Sequence, residues 1–204
     1  EDAALVEPFA IGSHCTGRGR VVEDDVVFIL GTGTIGSIIL QTCKAKGCKT
    51  VICCDISDSS LERAKEYGAD YVINSKTQDV VAEIQKITDG HGCTVAFDSA
   101  CFPGSLTMCL QPGILCNAGR MVPMGFCTEK EGITQAMINQ RELDIIGSRM
   151  SQDAFEPTIA RMEKGEYITE GIATTFIKFS EIDKVFHLMD HPDESAKKMV
   201  ILFD

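Results

Sequence analysis

Apolar residues follow two alternating spacings along this chain. Short runs that are apolar at successive positions, 26–30 (VVFIL), 50–54 (TVICC), 71–73, 94–98 (TVAFD), 120–124 and 143–147, predict strands buried on both faces. Between them the spacing is helical: 34–46 up to Gly47, from about Ser59 to Gly68, 78–88, 103–117 and 132–140. Pro112 and Gly113 are expected to bend or interrupt the fourth of these. A leading helix is predicted over 3–17 from Leu5, Val6, Phe9, Ile11 and Cys15, with Pro8 tolerable near its first turn. Strands of this kind separated by helices indicate an α/β fold, a doubly wound six-stranded parallel sheet with helices on both faces. Beyond Arg149 the alternation changes. A helix near 153–164, the strand-like ATTFIKF at 173–179, a helix at 181–189 and a last strand, KMVILF, predict a short C-terminal α/β appendage. The domain division that follows is 1–150 and 151–204, with no internal repeat and no low-complexity segment.

The junction of the first strand and its helix reads VVFILGTGTIG, and the next strand ends on an acid, VICCD. Gly31 permits a tight turn, Gly33 lets the backbone approach a pyrophosphate, and Gly36 lets helix and strand pack closely. Thr34 and Ile35 open the helix, where backbone N–H groups and the positive dipole end face outward. Asp55, nineteen residues beyond Gly36, is placed to accept hydrogen bonds from an adenosine ribose, and its charge would repel a 2′-phosphate. Strand, loop, helix, second strand and acid occur in order, so the first unit is predicted to be a Rossmann domain that binds NAD in preference to NADP. Ser99 and Ala100 after the fourth strand, and Met124, Gly125 and Phe126 after the fifth, fall at the carboxyl edge of the sheet, where ligands bind in this fold.

Charge and cysteine usage narrow the field. A formal net charge of −11 disfavours nucleic acid and anionic membrane surfaces as partners, so an anionic cofactor must be held locally. No apolar run is long enough to span a bilayer, and the opening EDAALVEPFA lacks a basic start, which reads as cytoplasmic. Ten cysteines, none in a CxxC pair, are expected to act as small buried hydrophobes. His187 and His191 have a spacing that can share a helix face, but Pro192 follows at once, so a metal role is not assigned. His14 and His91 have no evident partners, and no metal site is predicted in this chain.

The opening AALVEPFAIGSH, the loop GTGTIG, the stretch LERAKEYGADYVIN, the Gly125–Phe126–Cys127 turn and the ending DESAKKMVILFD occur in an order that resembles the medium-chain, zinc-dependent alcohol dehydrogenases. The sorbitol, threonine and sugar-acid dehydrogenase branch, with its Glu-Pro at the start of the first helix, is the best likeness. Members of that family begin with a GroES-like barrel that carries the catalytic zinc ligands, and no such motif occurs here. The resemblance implies the coenzyme domain plus the segment that folds back on the barrel. Zinc is then expected only in the full-length enzyme, where it would activate an alcohol for hydride transfer to NAD.

The resemblance also carries residue roles. Glu7 is implied to lie beside the catalytic zinc of the complete enzyme; otherwise it is an acid interacting with a helix dipole. Ser60 occupies the position of an arginine that packs over adenine in sorbitol-type relatives, and Arg149 resembles a basic residue near the cofactor. The expected partner is a small-molecule alcohol, with self-association through the edge strand. This portion alone is expected to be inactive. Two other readings are a standalone NAD-binding or assembly module and an S-adenosylmethionine methyltransferase. The latter is disfavoured because its sheet ends in an antiparallel hairpin.

Overall fold

The computed structural model describes residues 2–191 and 198–203. Six strands, β1 (Val26–Leu30), β2 (Thr50–Asp55), β3 (Tyr71–Asn74), β4 (Cys93–Asp98), β5 (Leu115–Pro123) and β6 (Asp144–Ile145), form one sheet. Their order is β3-β2-β1-β4-β5-β6 and every pairing is parallel, as the alternating pattern predicts. β6 runs parallel to β5, so the sheet does not end in the hairpin a methyltransferase would need.

Helices cover both faces. A 3-10 turn, Asp2–Leu5, leads into α1 (Val6–Arg18), in which Pro8 sits in the first turn, where no intrahelical N–H is needed. α1, α2 (Thr34–Ala45) and α3 (Asp58–Glu66) lie on one side, where Phe9, Ile38, Ile39 and Ala64 join Val27, Ile29 and Val51 in one core. α4 (Val80–Ile87) and α5 (Ser105–Cys109) cover the other, with Ile84, Cys109 and Leu110 packed on Phe28, Ile52 and Ala96. Ser57 caps α3 by accepting from the Ser60 N–H, and Asp79 caps α4 by accepting from the Ala82 N–H.

Four expectations are corrected. The helix predicted over 103–117 is only Ser105–Cys109, because Pro112 and Gly113, the latter at φ 94°, end it outright. Strand five accordingly starts at Leu115 instead of 120, with Ala118 at φ 54° and a register shift against β4 between Cys93 and Val95. The helix predicted over 132–140 contracts to α6 (Gln135–Asn139), capped by Thr134, because Glu131 turns back to bond α5. Strand six is two residues long instead of five, since only Asp144 and Ile145 pair with Arg120 and Met121.

The segment beyond Arg149 forms α7 (Phe155–Glu163), β7 (Thr175–Lys178), a 3-10 turn at Phe179–Glu181, α8 (Asp183–Asp190) and β8 (Met199–Leu202). β8 pairs in parallel with β7, so the last strand finds its partner within the chain. The linking stretch packs on α1 and α2: Tyr167 stacks on Phe9 at 4.6 Å, and Gln41 bonds both the Ile168 carbonyl and its N–H. The whole of DESAK, residues 193–197, and Pro192 lie outside the described residues.

Candidate nucleotide site

Register brings the predicted residues to one edge. Leu30 is paired with Cys54 on one side and Asp98 on the other, and Asp98 with Pro123, so Gly31, Asp55, Ser99 and Met124 all leave the sheet at the same level. The Gly31 N–H donates to the Cys54 carbonyl at 2.7 Å and the Met124 N–H to the Asp98 carbonyl at 2.9 Å.

The three loop glycines have different reasons to lack a side chain. At Gly31, φ is 87° and a Cβ would stand 2.8 Å from the Ala100 nitrogen. A Cβ on Gly36 would stand 1.9 Å from the Gly31 carbonyl oxygen and 2.8 Å from Ser99 Oγ, so helix and strand could not approach. Gly33 is exposed, caps α2 without a side chain, and a Cβ there would meet nothing within 4 Å. That open space lies over the first turn of α2, where Ile35 and Gly36 carry N–H groups that have no intrahelical acceptor. A pyrophosphate fits there: room, donors and a favourable dipole end coincide.

Asp55 closes the loop from the side. Its Oδ2 accepts from the Thr32 N–H (2.7 Å) and the Thr32 hydroxyl (3.0 Å), while Oδ1 accepts from the N–H groups of Ile56 and Ser57. A ribose hydroxyl would share or replace the Thr32 hydroxyl contact, the one of the four whose donor can rotate away. Ile56, next to the acid, is 58% exposed and offers an apolar surface to a flat ring. Sequence reading passed over it, although an exposed apolar residue directly after the strand-two acid was a usable signal.

The other predicted residues divide. Ser99 serves the loop, its hydroxyl donating to the carbonyls of Leu30 and Gly31 at 3.0 and 2.7 Å. Ala100 is exposed beside it, and its N–H donates to Asp98 Oδ1. Gly125 is required by Cys101, whose sulfur would stand 2.1 Å from a Cβ there, which locks together the turns after β4 and β5. Arg149 lies over the Phe126 ring, 5.3 Å from its centroid, linking the turns after β5 and β6. The neighbouring Ser148 hydroxyl is buried without a hydrogen-bond partner among the described residues, a candidate that sequence reading missed. Ser60 is 3% exposed within α3, its N–H bonded to Ser57. Glu7 is exposed in the first turn of α1, and among the described residues no group of three His, Cys, Asp or Glu side chains could hold a metal ion.

Seven of the ten cysteines are buried and all ten are free thiols; burial pushes the Cys15, Cys54 and Cys93 thiols up to about 12, which makes them packing residues at neutral pH. The exposed His187 and His191 rings lie 4.9 Å apart, with no third ligand beside them among the described residues. Among the described residues, no helix is long and apolar enough to cross a membrane.

Comparison with known proteins converges on one family. Residues 34–164 match the family described as zinc-binding dehydrogenase. The starvation-sensing protein RspB of Escherichia coli (strain K12) is 34% identical over 203 residues, covering 98% of this chain and 58% of that protein. Sorbitol dehydrogenase of Bacillus subtilis (strain 168) is 29% identical over 202 residues, with coverage of 98% and 57%. Among solved structures, a short chain alcohol dehydrogenase (rspB) from E. coli CFT073, complexed with cofactor NADH, superimposes with a TM-score of 0.89 at 32% identity, over 98% of this chain and 59% of that one. 2R,3R-butanediol dehydrogenase from Bacillus subtilis gives a TM-score of 0.85 at 28% identity, over 97% and 56%. The chain thus spans somewhat more than half the length of the relatives it matches.

Proposed function

Since this chain belongs to the zinc-binding dehydrogenase family, we propose that it is the coenzyme-binding portion of an NAD-dependent zinc-type dehydrogenase that oxidises a secondary alcohol of a polyol, sugar acid or related small molecule. The observation that carries this reading is the open space at Gly33 over the α2 N-terminus, bordered by the Asp55 carboxylate. The amides of the first α2 turn would hold the pyrophosphate, Asp55 the adenosine ribose, and the turns after β4, β5 and β6 the remainder of the dinucleotide. A bound nicotinamide would supply the hydride acceptor for oxidation at the alcohol carbon. The relatives named sorbitol and butanediol dehydrogenase support the substrate class.

Asp55 sets the preference for NAD, because a 2′-phosphate would bring negative charge against a carboxylate already fixed by the loop. The residues that would activate the alcohol are proposed to lie outside this chain, since no described cluster here has a metal-binding donor set. Calorimetric titration tests the reading: the chain should bind NADH, bind NADPH more weakly, and lose affinity in Asp55→Ala, with thermal melting used to confirm that the variant is folded. No binding at millimolar NADH would overturn the assignment. Polyol oxidation by this chain should be undetectable with added zinc, and measurable turnover would show that the activating residues are within it.

A further inference from the structure

We infer that Arg63 is a cofactor-binding residue, a cation that α3 holds against the adenylate half of the dinucleotide; the inference rests on the NAD-binding reading above. Ser60, where sorbitol-type relatives have an arginine, is buried in this chain and cannot supply that charge. One helical turn further on, Arg63 lines a narrow crevice with Thr32, Gly33, Thr34 and Ser37, the residues of the loop and the start of α2. Among the described residues that line this crevice, it is the one charged side chain.

The arginine is positioned before any ligand arrives. Tyr67, the residue at the C-terminal end of α3, donates to the Glu170 carbonyl at 2.8 Å and so holds the 170–171 turn against the helix. Gly171, at φ 78°, leaves room there: a Cβ would stand 2.9 Å from the Tyr67 hydroxyl and 4.0 Å from Arg63 Cδ. The arginine stem is therefore confined between α3 and this turn, which reduces the rotamer freedom lost when the guanidinium engages a ligand. Glu62 and Glu66 border the adjoining surface, yet Arg63 forms no ion pair among the described residues.

The ligand chemistry follows. A dinucleotide brings a dianionic pyrophosphate to a chain of net charge −11, a repulsion that a cation beside the helix-terminal amides would help to offset. A guanidinium beside Gly33 and Thr34 supplies planar, charge-assisted donors to the adenylyl phosphate or the ribose oxygens next to it. By the same reading, the nicotinamide and its ribose would lie toward the turns after β5 and β6, away from this crevice.

The test titrates NADH, ADP-ribose and reduced nicotinamide mononucleotide into the 204-residue chain and its Arg63→Gln and Arg63→Lys variants, at low and moderate salt. Arg63→Gln should lower affinity for NADH and ADP-ribose about tenfold, the order of one charge-assisted hydrogen bond, and flatten their salt dependence. Binding of the mononucleotide should not change, and Arg63→Lys should recover part of the loss. A purely structural role would lower all three affinities together and reduce the melting temperature. Wild-type NADH binding that Arg63→Gln leaves intact overturns the Arg63 assignment alone, whereas absence of NADH binding by the wild type overturns this inference together with the reading beneath it.

Discussion

At the residue scale, Gly33 and Gly36 share one motif but answer to different constraints, and a single added methyl separates them. Gly33 has an ordinary φ of −65° and open space where a Cβ would go, so the folded chain tolerates alanine there. The same methyl would occupy the approach of a pyrophosphate to the α2 amides. Gly33→Ala should therefore leave the melting temperature close to wild type while NADH affinity falls at least about tenfold, roughly 1.4 kcal/mol or more. Gly36→Ala forces a Cβ to 1.9 Å from the Gly31 carbonyl oxygen, a backbone atom that cannot step aside, and should cost about 3 kcal/mol in urea unfolding. The glycines, Asp55 and the turn residues after β4 and β5 were legible in the sequence, because strand alternation fixes which ends share an edge. What each touches was not. Ser99 bracing the Gly31 carbonyl, and Arg149 over Phe126, depend on how turns from different strands meet. The local pattern carries no record of that.

At the element scale, α5 has only five residues, too few to stand alone, and Glu131 fixes its start. Glu131 accepts from the Gly104 N–H (3.2 Å), the Thr107 N–H (2.6 Å) and the Thr107 hydroxyl (2.7 Å). Burial pushes its carboxyl up, but these bonds push it down further, so the balance lies below the ordinary glutamate value. A carboxyl whose folded pKa is lowered contributes stability that is complete above its unfolded value near 4.5 and is lost as pH falls through the folded one. Glu131→Gln should cost about 1–2 kcal/mol at pH 7, and the gap to wild type should close as the pH is lowered through the acid range. A gap independent of pH, measured by denaturant unfolding, would exclude the carboxylate as its source. The same contact accounts for the shortened α6: residues 132–134 read as helical by spacing, but Glu131 commits the preceding loop to α5. Likewise Pro112 and Gly113 announced a break at 103–117, whereas the return of Leu115–Asn117 to the sheet is set by β4. Breaks are local and readable; the element a chain joins after a break is decided by packing.

At the scale of the whole molecule, the stretch between α7 and β7 packs on the α1–α2 face, while β7 and β8, which follow it, pair with each other. Tyr167 and Ile172 are buried against the α1–α2 face, which carries the fully buried Phe9. Ending the chain after Lys164 strips both away and should cost roughly 3–6 kcal/mol by the burial of two large side chains, whereas ending it after Ala173 keeps them and should leave the nucleotide domain folded. Circular dichroism melts of the two truncations decide this, and equal melting temperatures would refute it. Beyond Ala173, Phe176, Phe179, Phe186, Met189 and Phe203 are each at least 45% exposed, a concentration of aromatic surface on one small unit. β6 is also an edge strand, with no further strand paired to its outer side among the described residues. Both features favour self-association, and the net charge of −11 opposes it. Charge repulsion reaches about 30 Å at 10 mM salt but only about 8 Å at physiological strength, so screening weakens the opposing effect and leaves the apolar one intact. Light scattering should accordingly give a mass above the monomer that rises with salt, and Phe186→Ser with Met189→Ser should lower it. A monomer at both salt concentrations would mean that neither the exposed aromatic face nor the β6 edge pairs copies of this chain.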